Sequence, residues 1–488
     1  MEKSLNNGKV KFYNGKTLPL EMHKVKMVQA LNLVPLERRL KALEEAGYNS
    51  HLMQTSDIFM DMLTDSGTNA SSDAQVAATF MADEAYAGSQ SFVKLEKSIL
   101  DVFGKKLLLP VHQGRAGEHI LAMTFIKKGS LVPMNYHFLT FNAHVGLCGG
   151  GTVNLTIPEG LKLKSTYPFK GNIDIQKLEE VIIKTGPEKI PFVRMEASTN
   201  FLGGQPFSME NLKQVRKIAD KYGIMILLDA SLVGENVYFI KKREPGYENR
   251  TLGSILLEMS DLCEIVYFSA RKVSSSRGGM ICTNRTDLYD MMKNFVPLYE
   301  GFLTYGGMSI RDIESMAVGL RETIDDNVIC QTPEFVRYVV EELDKLGIPV
   351  ITPGGALGFH VNAMEILDHV PQTEYPGQAL AAAFYIASGN RAMESGTMMY
   401  DRDENGNEVI QDHEIMRVAV PRRVFTLSQM EYAIDRLNWV YINRKLIGGL
   451  RFTDEPKIMR FFTGKLEPVS DWPAKLAAKY REDFGDSL

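Results

Sequence analysis

One apolar run in the middle of the chain ends in two cations, and it limits the fold more than any other stretch. Glu264-Ile-Val-Tyr-Phe-Ser269 is typical of a buried strand, and Arg271 and Lys272 follow it closely. Open α/β sheets bind their ligands at the carboxyl ends of their strands. Lys272 is therefore a candidate cofactor-binding amine, although most Arg-Lys pairs after a strand are only solvated cations.

Composition excludes several classes of protein. The 488 residues can bury a large core and predict two or three compact units. A net charge of −5 gives no basic surface for nucleic acid, and the four cysteines lack metal-ligand spacing. The chain has no apolar run of about 18 residues and no signal-peptide pattern at its N-terminus, so we expect a cytoplasmic protein without a membrane partner.

Two further predicted strands also end in polar groups. Asn200 stands just beyond Phe192–Ser198, and Asp229 ends Ile224–Asp229, with a capped helix between the two strands. This βαβ pattern brings Asn200, Asp229 and Lys272 to one edge of a parallel sheet. In pyridoxal phosphate enzymes an aspartate keeps the pyridine nitrogen protonated and a lysine binds the aldehyde. The three strand ends therefore predict that cofactor.

An anion site is predicted earlier in the chain. Lys106–Val111 has the pattern of a short strand, and Gln113, Gly114 and Arg115 open the helix that follows it. Free backbone N–H groups and the helix dipole converge at such a turn, where they can hold a phosphate monoester. The spacing is not a dinucleotide fingerprint, so the pattern does not favour a nucleotide.

Two aromatic residues are further candidates. Phe138 lies in a strand-like run over residues 131–141 and could stack on a flat cofactor ring, although core packing is the commoner role of such a residue. Tyr86 follows an acidic pair beside a glycine turn and is a candidate proton donor. Tyrosines in this setting are more often partly buried structure.

Several separated stretches together point to a known family. They are Thr64-Asp-Ser-Gly67-Thr-Asn, Asp83-Glu84-Ala-Tyr86-Ala-Gly-Ser, His112-Gln-Gly-Arg115, Gly203-Gly-Gln-Pro, Glu300-Gly-Phe-Leu-Thr-Tyr305-Gly-Gly, Arg311-Asp-Ile-Glu-Ser-Met-Ala-Val-Gly-Leu-Arg-Glu, Arg417-Val-Ala-Val-Pro-Arg-Arg-Val-Phe and Arg460-Phe-Phe-Thr. From about residue 20 to about 470 the chain resembles the β-eliminating lyases, typified by tyrosine phenol-lyase and tryptophanase. Tyrosine phenol-lyase is the closer of the two, because Phe461-Phe462 stands where tryptophanase typically has a histidine.

The resemblance implies a fold-type I pyridoxal phosphate enzyme of the α/β class with two domains. A large domain over residues 61–329 would carry a mainly parallel seven-stranded sheet, and residues 19–60 with 330–488 would form a smaller α+β domain. Residues 1–18 would be an N-terminal arm, and a helix from Ile310 to Ile324 would link the domains. We expect the site in the cleft between the two domains.

The resemblance also implies roles for single residues. Lys272 would hold the cofactor and remove the α-proton, Tyr86 would donate a proton to the leaving group, and Arg417 would bind the substrate carboxylate. The other cofactor residues would be Gln113, Gly114, Arg115, Phe138, Asn200, Asp229, Ser269 and Arg271, with Tyr305 from a neighbouring subunit. Thr64, Ser66, Leu139, Ser395, Phe461 and Phe462 would line the substrate site, and the Gly67 carbonyl and Glu84 would bind a monovalent cation such as K⁺.

The implied reaction is β-elimination on a β-substituted L-amino acid, which gives pyruvate, ammonia and the leaving group, in a homotetramer with shared active sites. Leu232 stands where the family has an arginine facing the cofactor's ring oxygen, and Leu139 and Ser395 stand where tyrosine phenol-lyase directs a threonine and an arginine at the phenol oxygen. We therefore predict poor or no phenol release and favour a thiolate or a modified aromatic leaving group. Retro-aldol cleavage, β-replacement, transamination and a non-catalytic cofactor-binding relative remain alternatives.

Overall fold

The structure is a computed structural model that describes residues 8–485. The predicted arm falls partly outside this range, because residues 1–7 are not described. The described chain begins with the antiparallel strands β1 (Lys9–Lys11) and β2 (Thr17–Pro19), followed by the helix α1 (Leu36–Glu45). Helix α1 is amphipathic, with Leu36 and Leu43 buried, and the chain leaves it through Gly47 at φ +57°.

A seven-stranded sheet forms the centre of the large domain. Its strands are β3 (Leu107–Val111), β4 (Leu131–Met134), β5 (Gly151–Asn154), β6 (Phe192–Glu196), β7 (Met225–Asp229), β8 (Ile265–Ser269) and β9 (Gly279–Thr283). The spatial order is β3-β9-β8-β7-β6-β4-β5, and among these seven strands only β9 runs in the direction opposite to the other six. This arrangement confirms the predicted α/β class and the mainly parallel sheet.

Thirteen helices accompany this sheet in the described chain. They are α2 (Asp73–Thr79), α3 (Gln90–Phe103), α4 (Gly114–Phe125), α5 (Leu139–Leu147), α6 (Pro158–Leu161), α7 (Ile175–Thr185), α8 (Met209–Tyr222), α9 (Val233–Arg243), α10 (Leu252–Asp261), α11 (Ala270–Val273), α12 (Thr286–Met292), α13 (Phe295–Tyr299) and α14 (Ile310–Glu322). Ser208 caps α8 by accepting from the Asn211 N–H, and Gly223 ends it in the left-handed conformation.

The C-terminal part of the chain builds a second unit of helices and short antiparallel strands. Its helices are α15 (Asp326–Ile329), α16 (Gln331–Lys345), α17 (Ala363–Ile366), α18 (Pro376–Ser388), α19 (Leu427–Ile442), α20 (Arg460–Thr463) and α21 (Trp472–Phe484). Its strands are β10 (Gly358–Asn362), β11 (Met393–Ser395), β12 (Ile415–Ala419), β13 (Leu450–Asp454) and β14 (Lys465–Pro468). Short 3₁₀ helices span Ser50–Leu52, Thr55–Asp57, Pro187–Lys189, Asn200–Leu202, Gln372–Glu374, Thr397–Met399 and Arg444–Leu446.

Apolar cores stabilise both units, and two of these cores lie on opposite faces of the large sheet. Alternate residues of β6, β7 and β8 point to opposite faces, so that Val193, Ile226 and Val266 enter one core while Phe192 and Leu227 enter the other. A third core joins residues 36–62 to residues 335–480. The small unit therefore combines an early and a late part of the chain.

The strand predicted over residues 131–141 is shorter in the structure. Strand β4 ends at Met134, and Phe138 immediately precedes helix α5. Asn135 causes the break, since its buried amide donates to the backbone oxygens of Gly171 (3.0 Å) and Glu196 (3.0 Å) and turns the chain away from the sheet. Phe138 thus lies on a loop at the sheet edge rather than within a strand.

Candidate functional site

A cavity of about 320 Å³ lies at the carboxyl ends of β6, β7 and β8, between the two units. Its lining combines residues from the sheet edge, from the start of α4 and from the small unit. The lining residues are His51, Leu63, Thr64, Ser66, Gln113, Gly114, Arg115, Glu118, Phe138, Leu139, Thr140, Glu196, Ala197, Asn200, Phe201, Asp229, Ser231, Leu232, Tyr267, Ser269, Arg271, Lys272, Met393, Met399, Arg417, Phe461 and Phe462.

One end of the cavity is built to hold an anion. Gly114 opens helix α4 so close to β8 that a Cβ atom there would lie 3.0 Å from the Cβ of Ser269. Burial lowers the pKa of Arg271, and the positive charges of Arg277 and Arg115 lower it further. The Nε atom of Arg271 is buried and has no hydrogen-bond partner among the described residues. Free helix N–H groups and converging cations together favour a phosphate at this end.

Lys272 lies in the short helix α11, directly after β8. Its Nζ atom is 3.9 Å from Asp65 Oδ1 and 5.6 Å from the centroid of the Phe138 ring. Phe138 stacks on Phe201, with ring centroids 5.5 Å apart and an interplanar angle of 16°. A primary amine and a flat aromatic face therefore line the same cavity.

Asp229 ends strand β7 and is held by three hydrogen-bond donors. Its Oδ2 atom accepts from Arg194 Nη2 at 2.6 Å and from the Tyr267 hydroxyl at 2.9 Å, and its Oδ1 atom accepts from the Ser231 N–H at 3.0 Å. Glu118 and Glu196 lie beside this group. Burial raises the pKa of both carboxyls, to about 7 for Glu118.

Arg417 enters the cavity from strand β12 of the small unit. It donates from Nη1 to Asn200 Oδ1 at 2.8 Å and from Nη2 to the Leu63 carbonyl at 3.0 Å. Burial lowers its pKa to about 10, so the guanidinium stays charged at neutral pH. Its Nε atom is buried without a hydrogen-bond partner among the described residues, which suits a carboxylate ligand.

The rest of the small-unit wall is apolar. Phe461 and Phe462 contact His51, with ring centroids 4.4 Å and 5.1 Å from the imidazole. Burial and, secondarily, the charge of Arg417 lower the pKa of His51 to about 4, so the ring is neutral near neutral pH. The small unit also contributes Met393 and Met399 to the lining, and the large unit contributes the apolar residues Leu63, Leu139, Ala197, Phe201 and Leu232.

Five predicted site residues do not line this cavity. They are Gly67, Glu84, Tyr86, Tyr305 and Ser395. Tyr86 is 69% exposed and packs against the Tyr305 ring, with centroids 5.5 Å apart. Glu84 accepts from Arg311 Nε at 2.7 Å in an exposed ion pair. Within one chain, these residues lie outside the site that the other predicted residues form.

Sequence reasoning missed several lining residues. Glu196 lines the cavity, and Arg194 supports Asp229 without lining it. The sequence did contain a signal for both residues, because they are two charges at alternate positions of an otherwise apolar run and so share one face of a strand. Asp65, which lies 3.9 Å from Lys272 without lining the cavity, belongs to a family motif in which only Thr64, Ser66 and Gly67 were given roles. His51 gave no signal, since it reaches the cavity only through the packing of the small unit.

Two features are absent from residues 8–485. These residues contain no group of three or more His, Cys, Asp or Glu side chains placed to hold a metal ion. None of the helices in that range is both long and apolar enough to cross a membrane.

Comparisons with known proteins agree on one family. Residues 61–436 match a sequence model described as beta-eliminating lyase. The chain is 40% identical over 452 residues to a tyrosine phenol-lyase of Symbiobacterium thermophilum, covering 92% of this chain and 99% of the relative. It is also 40% identical over 457 residues to a probable tryptophanase of Aeropyrum pernix, covering 92% and 97%.

Solved structures show the same fold at low identity. A serine palmitoyltransferase of Sphingomonas wittichii aligns over 92% of each chain with a TM-score of 0.54 and 13% identity. A variant serine palmitoyltransferase from S. paucimobilis aligns over 80% of this chain and 89% of its own, with a TM-score of 0.55 and 11% identity. The prediction of a fold-type I pyridoxal phosphate enzyme is confirmed.

The residues of the cavity fit pyridoxal phosphate. Gly114 and Arg271 provide an anion cradle, Lys272 provides the amine, and Asp229 provides a carboxylate beyond it. Phe138 provides an aromatic face 5.6 Å from that amine. These four kinds of group match the phosphate, the aldehyde, the ring nitrogen and the ring face of the cofactor.

Proposed function

This chain belongs to the β-eliminating lyase family, and we propose that its substrate is an L-amino acid with an uncharged, weakly polar β-substituent. A thioether is the class that fits best. The single observation that carries this proposal is the apolar wall of the cavity, where Met393 and Met399 of the small unit lie with two phenylalanines and the neutral His51, and where Leu139 of the large unit also lines the cavity. Such a wall binds an apolar group and leaves a charged one without a partner.

The cofactor supplies an electron sink for the bond-breaking steps at the substrate's α-carbon. Gln113, Gly114, Arg115, Ser269 and Arg271 would hold its phosphate, Phe138 would cover its ring, and Asp229 would bind its ring nitrogen. Asn200 lines the same cavity and would lie near the cofactor's ring hydroxyl, while its side-chain oxygen accepts from Arg417. Thr64 and Ser66 line the cavity near the same end.

The chain's own residues then divide the work on the substrate. Arg417 binds the α-carboxylate and fixes the amino acid beside Lys272, whose freed amine takes the α-proton. Burial of Arg417 removes competing water, so the ion pair with the carboxylate is strong. The β-substituent leaves into the apolar part of the cavity, and hydrolysis of the remaining fragment gives pyruvate and ammonia.

The chemistry of the leaving group favours a thioether over tyrosine as the substrate. Phenol leaves through a ring carbon and needs polar help at the far oxygen, but Leu139 lines the cavity there and Ser395 does not reach the lining. A thiolate is a stable anion, with a pKa of about 8.5 for a simple thiol, and needs less help. Leu232 also lines the cavity without offering a donor to the cofactor's ring oxygen.

A matched pair of substrates tests the proposal. S-propyl-L-cysteine and S-carboxymethyl-L-cysteine have similar length, but only the second carries a negative charge on its substituent. We expect pyruvate release from the neutral substrate with a kcat/KM about a hundredfold higher, because burying an unpaired charge costs several kcal/mol. Equal values would contradict an apolar pocket. Glycine, a keto acid or a new amino acid as product would instead indicate retro-aldol cleavage, transamination or β-replacement.

We also infer an oligomer with shared active sites, and a homotetramer is the form we expect. Tyr86 and Tyr305 support this proposal, because the exposed Tyr86 packs against the half-buried Tyr305 and neither ring lines the cavity of their own chain. In the oligomer, both rings would enter a partner's cavity, where Tyr86 would donate a proton to the leaving group. A K⁺ ion at Gly67 and Glu84 and a cytoplasmic location stay predictions.

A further inference from the structure

A buried charge cluster lies beneath the carboxylate that would bind the cofactor's ring nitrogen. Glu196 on β6 pairs in register with Asp229 on β7, and Asp229 pairs with Tyr267 on β8. Arg194 stands two residues before Glu196, so all four side chains share one face of the sheet. The rest of this face contributes residues such as Phe192 and Leu227 to an apolar core.

Arg194 is the centre of this cluster. It is 0% exposed, and its guanidinium donates to Asp229 at 2.6 Å, to Glu196 at 3.0 Å and to the Tyr267 hydroxyl at 3.0 Å. The guanidinium carbon also lies 4.7 Å from the centroid of the Phe141 ring. Every side of Arg194 is therefore fixed by a named partner.

Tyr267 completes the support of Asp229. Its hydroxyl accepts from Arg194 and donates to Asp229 Oδ2 at 2.9 Å, so the tyrosine and the arginine converge on the same carboxylate oxygen. Oδ1 accepts from the Ser231 backbone N–H. Two oriented donors on one oxygen restrict rotation of the carboxylate.

Arg194 is the positive charge that balances the carboxyl groups around Asp229. Three carboxyl groups (Glu118, Glu196 and Asp229) surround one guanidinium, and burial raises the pKa of Glu118 to about 7 and also raises that of Glu196. A buried carboxylate without a counter-charge takes up a proton. Removal of Arg194 would therefore take away the counter-charge of Asp229 and its shortest hydrogen bond, so the carboxylate would no longer be held in place to pair with a protonated ring nitrogen.

We propose that Arg194, assisted by Tyr267, is a positioning residue that holds Asp229 in orientation and supplies its counter-charge, so that the carboxylate can pair with the cofactor's ring nitrogen. The inference rests on pyridoxal phosphate as the cofactor and on Asp229 as its partner. A purely structural ion pair would lie away from the cavity, but Glu118, Glu196, Asp229 and Tyr267 all line it. Because Leu232 gives the ring oxygen no donor, electron withdrawal by the cofactor depends strongly on the ring nitrogen.

The test uses the protein loaded with pyridoxal phosphate labelled with ¹⁵N in the ring. The main variant is Arg194→Met/Glu196→Gln, which removes one positive and one negative charge and so keeps the net charge of the cluster. Tyr267→Phe removes only one hydroxyl, and Arg194→Lys is the conservative control. The readouts are the ¹⁵N chemical shift near neutral pH, the cofactor dissociation constant and the pH midpoint of the visible absorption band.

In wild type and in Arg194→Lys we expect the shift of a protonated ring nitrogen. In the double variant we expect an unprotonated nitrogen, an altered band midpoint and a dissociation constant about tenfold higher or more, since a hydrogen bond to a charged group is lost. Tyr267→Phe should change the same readouts to a smaller extent.

If a folded double variant keeps the wild-type ¹⁵N shift and dissociation constant, the role of Arg194 is overturned, while the cofactor assignment stands. If the double variant does not fold, unchanged values in Tyr267→Phe would overturn it. Failure of wild type to bind the cofactor would instead overturn the cofactor assignment, and the inference with it.

Discussion

Arg417 illustrates how single side chains define the site. Its two terminal nitrogens already have partners in Asn200 and the Leu63 carbonyl, which fix the orientation of the guanidinium. Its Nε atom has no partner among the described residues. A fixed guanidinium in a buried site binds a carboxylate with two parallel hydrogen bonds, which a lysine cannot reproduce.

We predict that Arg417→Lys raises KM for the amino-acid substrate roughly a hundredfold, because a bidentate charge-assisted contact is worth about 2–3 kcal/mol. The visible band of the bound cofactor should not change. Steady-state kinetics and an absorption spectrum check this, with Arg423→Lys as the matched control, since Arg423 pairs with Glu322 instead. A KM like that of wild type would show that Arg417 does not bind the substrate.

Glu118 couples the site to stability. Burial raises its pKa from 4.5 to about 7, so the folded state holds a proton that the unfolded state releases in this range. The stabilisation is fully present below pH 4.5 and is lost as the pH rises through about 7.

We therefore expect the wild-type free energy of unfolding to fall between pH 5 and pH 8 by about 3 kcal/mol more than that of Glu118→Gln. Urea unfolding at both pH values, with excess cofactor, measures the difference. An identical pH dependence in the two proteins would contradict a proton held by Glu118.

Among the secondary-structure elements, the close approach of α4 to β8 forms the anion end of the cavity. The first residue of α4 is glycine, and a Cβ atom there would lie 3.0 Å from the Cβ of Ser269, which is closer than ordinary van der Waals contact. Gly146 in α5 is a natural comparison, because a Cβ atom added there meets no atom within 4 Å.

Gly114→Ala should raise the dissociation constant for pyridoxal phosphate about tenfold to a hundredfold, since overpacking at this contact costs about 1–3 kcal/mol. Gly146→Ala should leave the affinity unchanged and stabilise the fold by up to about 1 kcal/mol. Cofactor titration and thermal unfolding of both variants are the measurements. Equal affinity in both would mean that the phosphate binds elsewhere.

Strands β6, β7 and β8 and helix α8 were predictable, because apolar runs, polar strand ends and capping residues mark them locally. The end of β4 could not be predicted from the sequence, since it depends on hydrogen bonds from Asn135 to distant backbone oxygens. The sequence likewise placed Lys272 and Asp229 at one edge but could not place His51, which reaches the cavity through tertiary packing alone.

At the scale of the whole molecule, the cavity draws residues from both units, and the Tyr86–Tyr305 pair lies outside it. A site completed by a second chain, as we propose, would explain why the exposed Tyr86 and the half-buried Tyr305 lie together outside the cavity of their own chain. Closed symmetric assemblies commonly share sites in this way.

Mixing two inactive variants tests this arrangement. Lys272→Ala lacks the amine but retains Tyr86, and Tyr86→Ala retains the amine. When equal amounts are dissociated and reassembled, we expect about a quarter of wild-type activity, because half of the dimeric pairs are hybrids with one complete site. No recovery after verified exchange of subunits would show that Tyr86 serves the cavity of its own chain.

The most direct test of the central claim compares two substrates on one enzyme preparation. Purified wild type, loaded with pyridoxal phosphate, is given S-propyl-L-cysteine or L-tyrosine, with Lys272→Ala as the control for background release. The apolar wall around Leu139 and Met393 predicts pyruvate from the thioether and little or no phenol from tyrosine. Phenol release at a rate equal to or above that of pyruvate from the thioether would contradict the account.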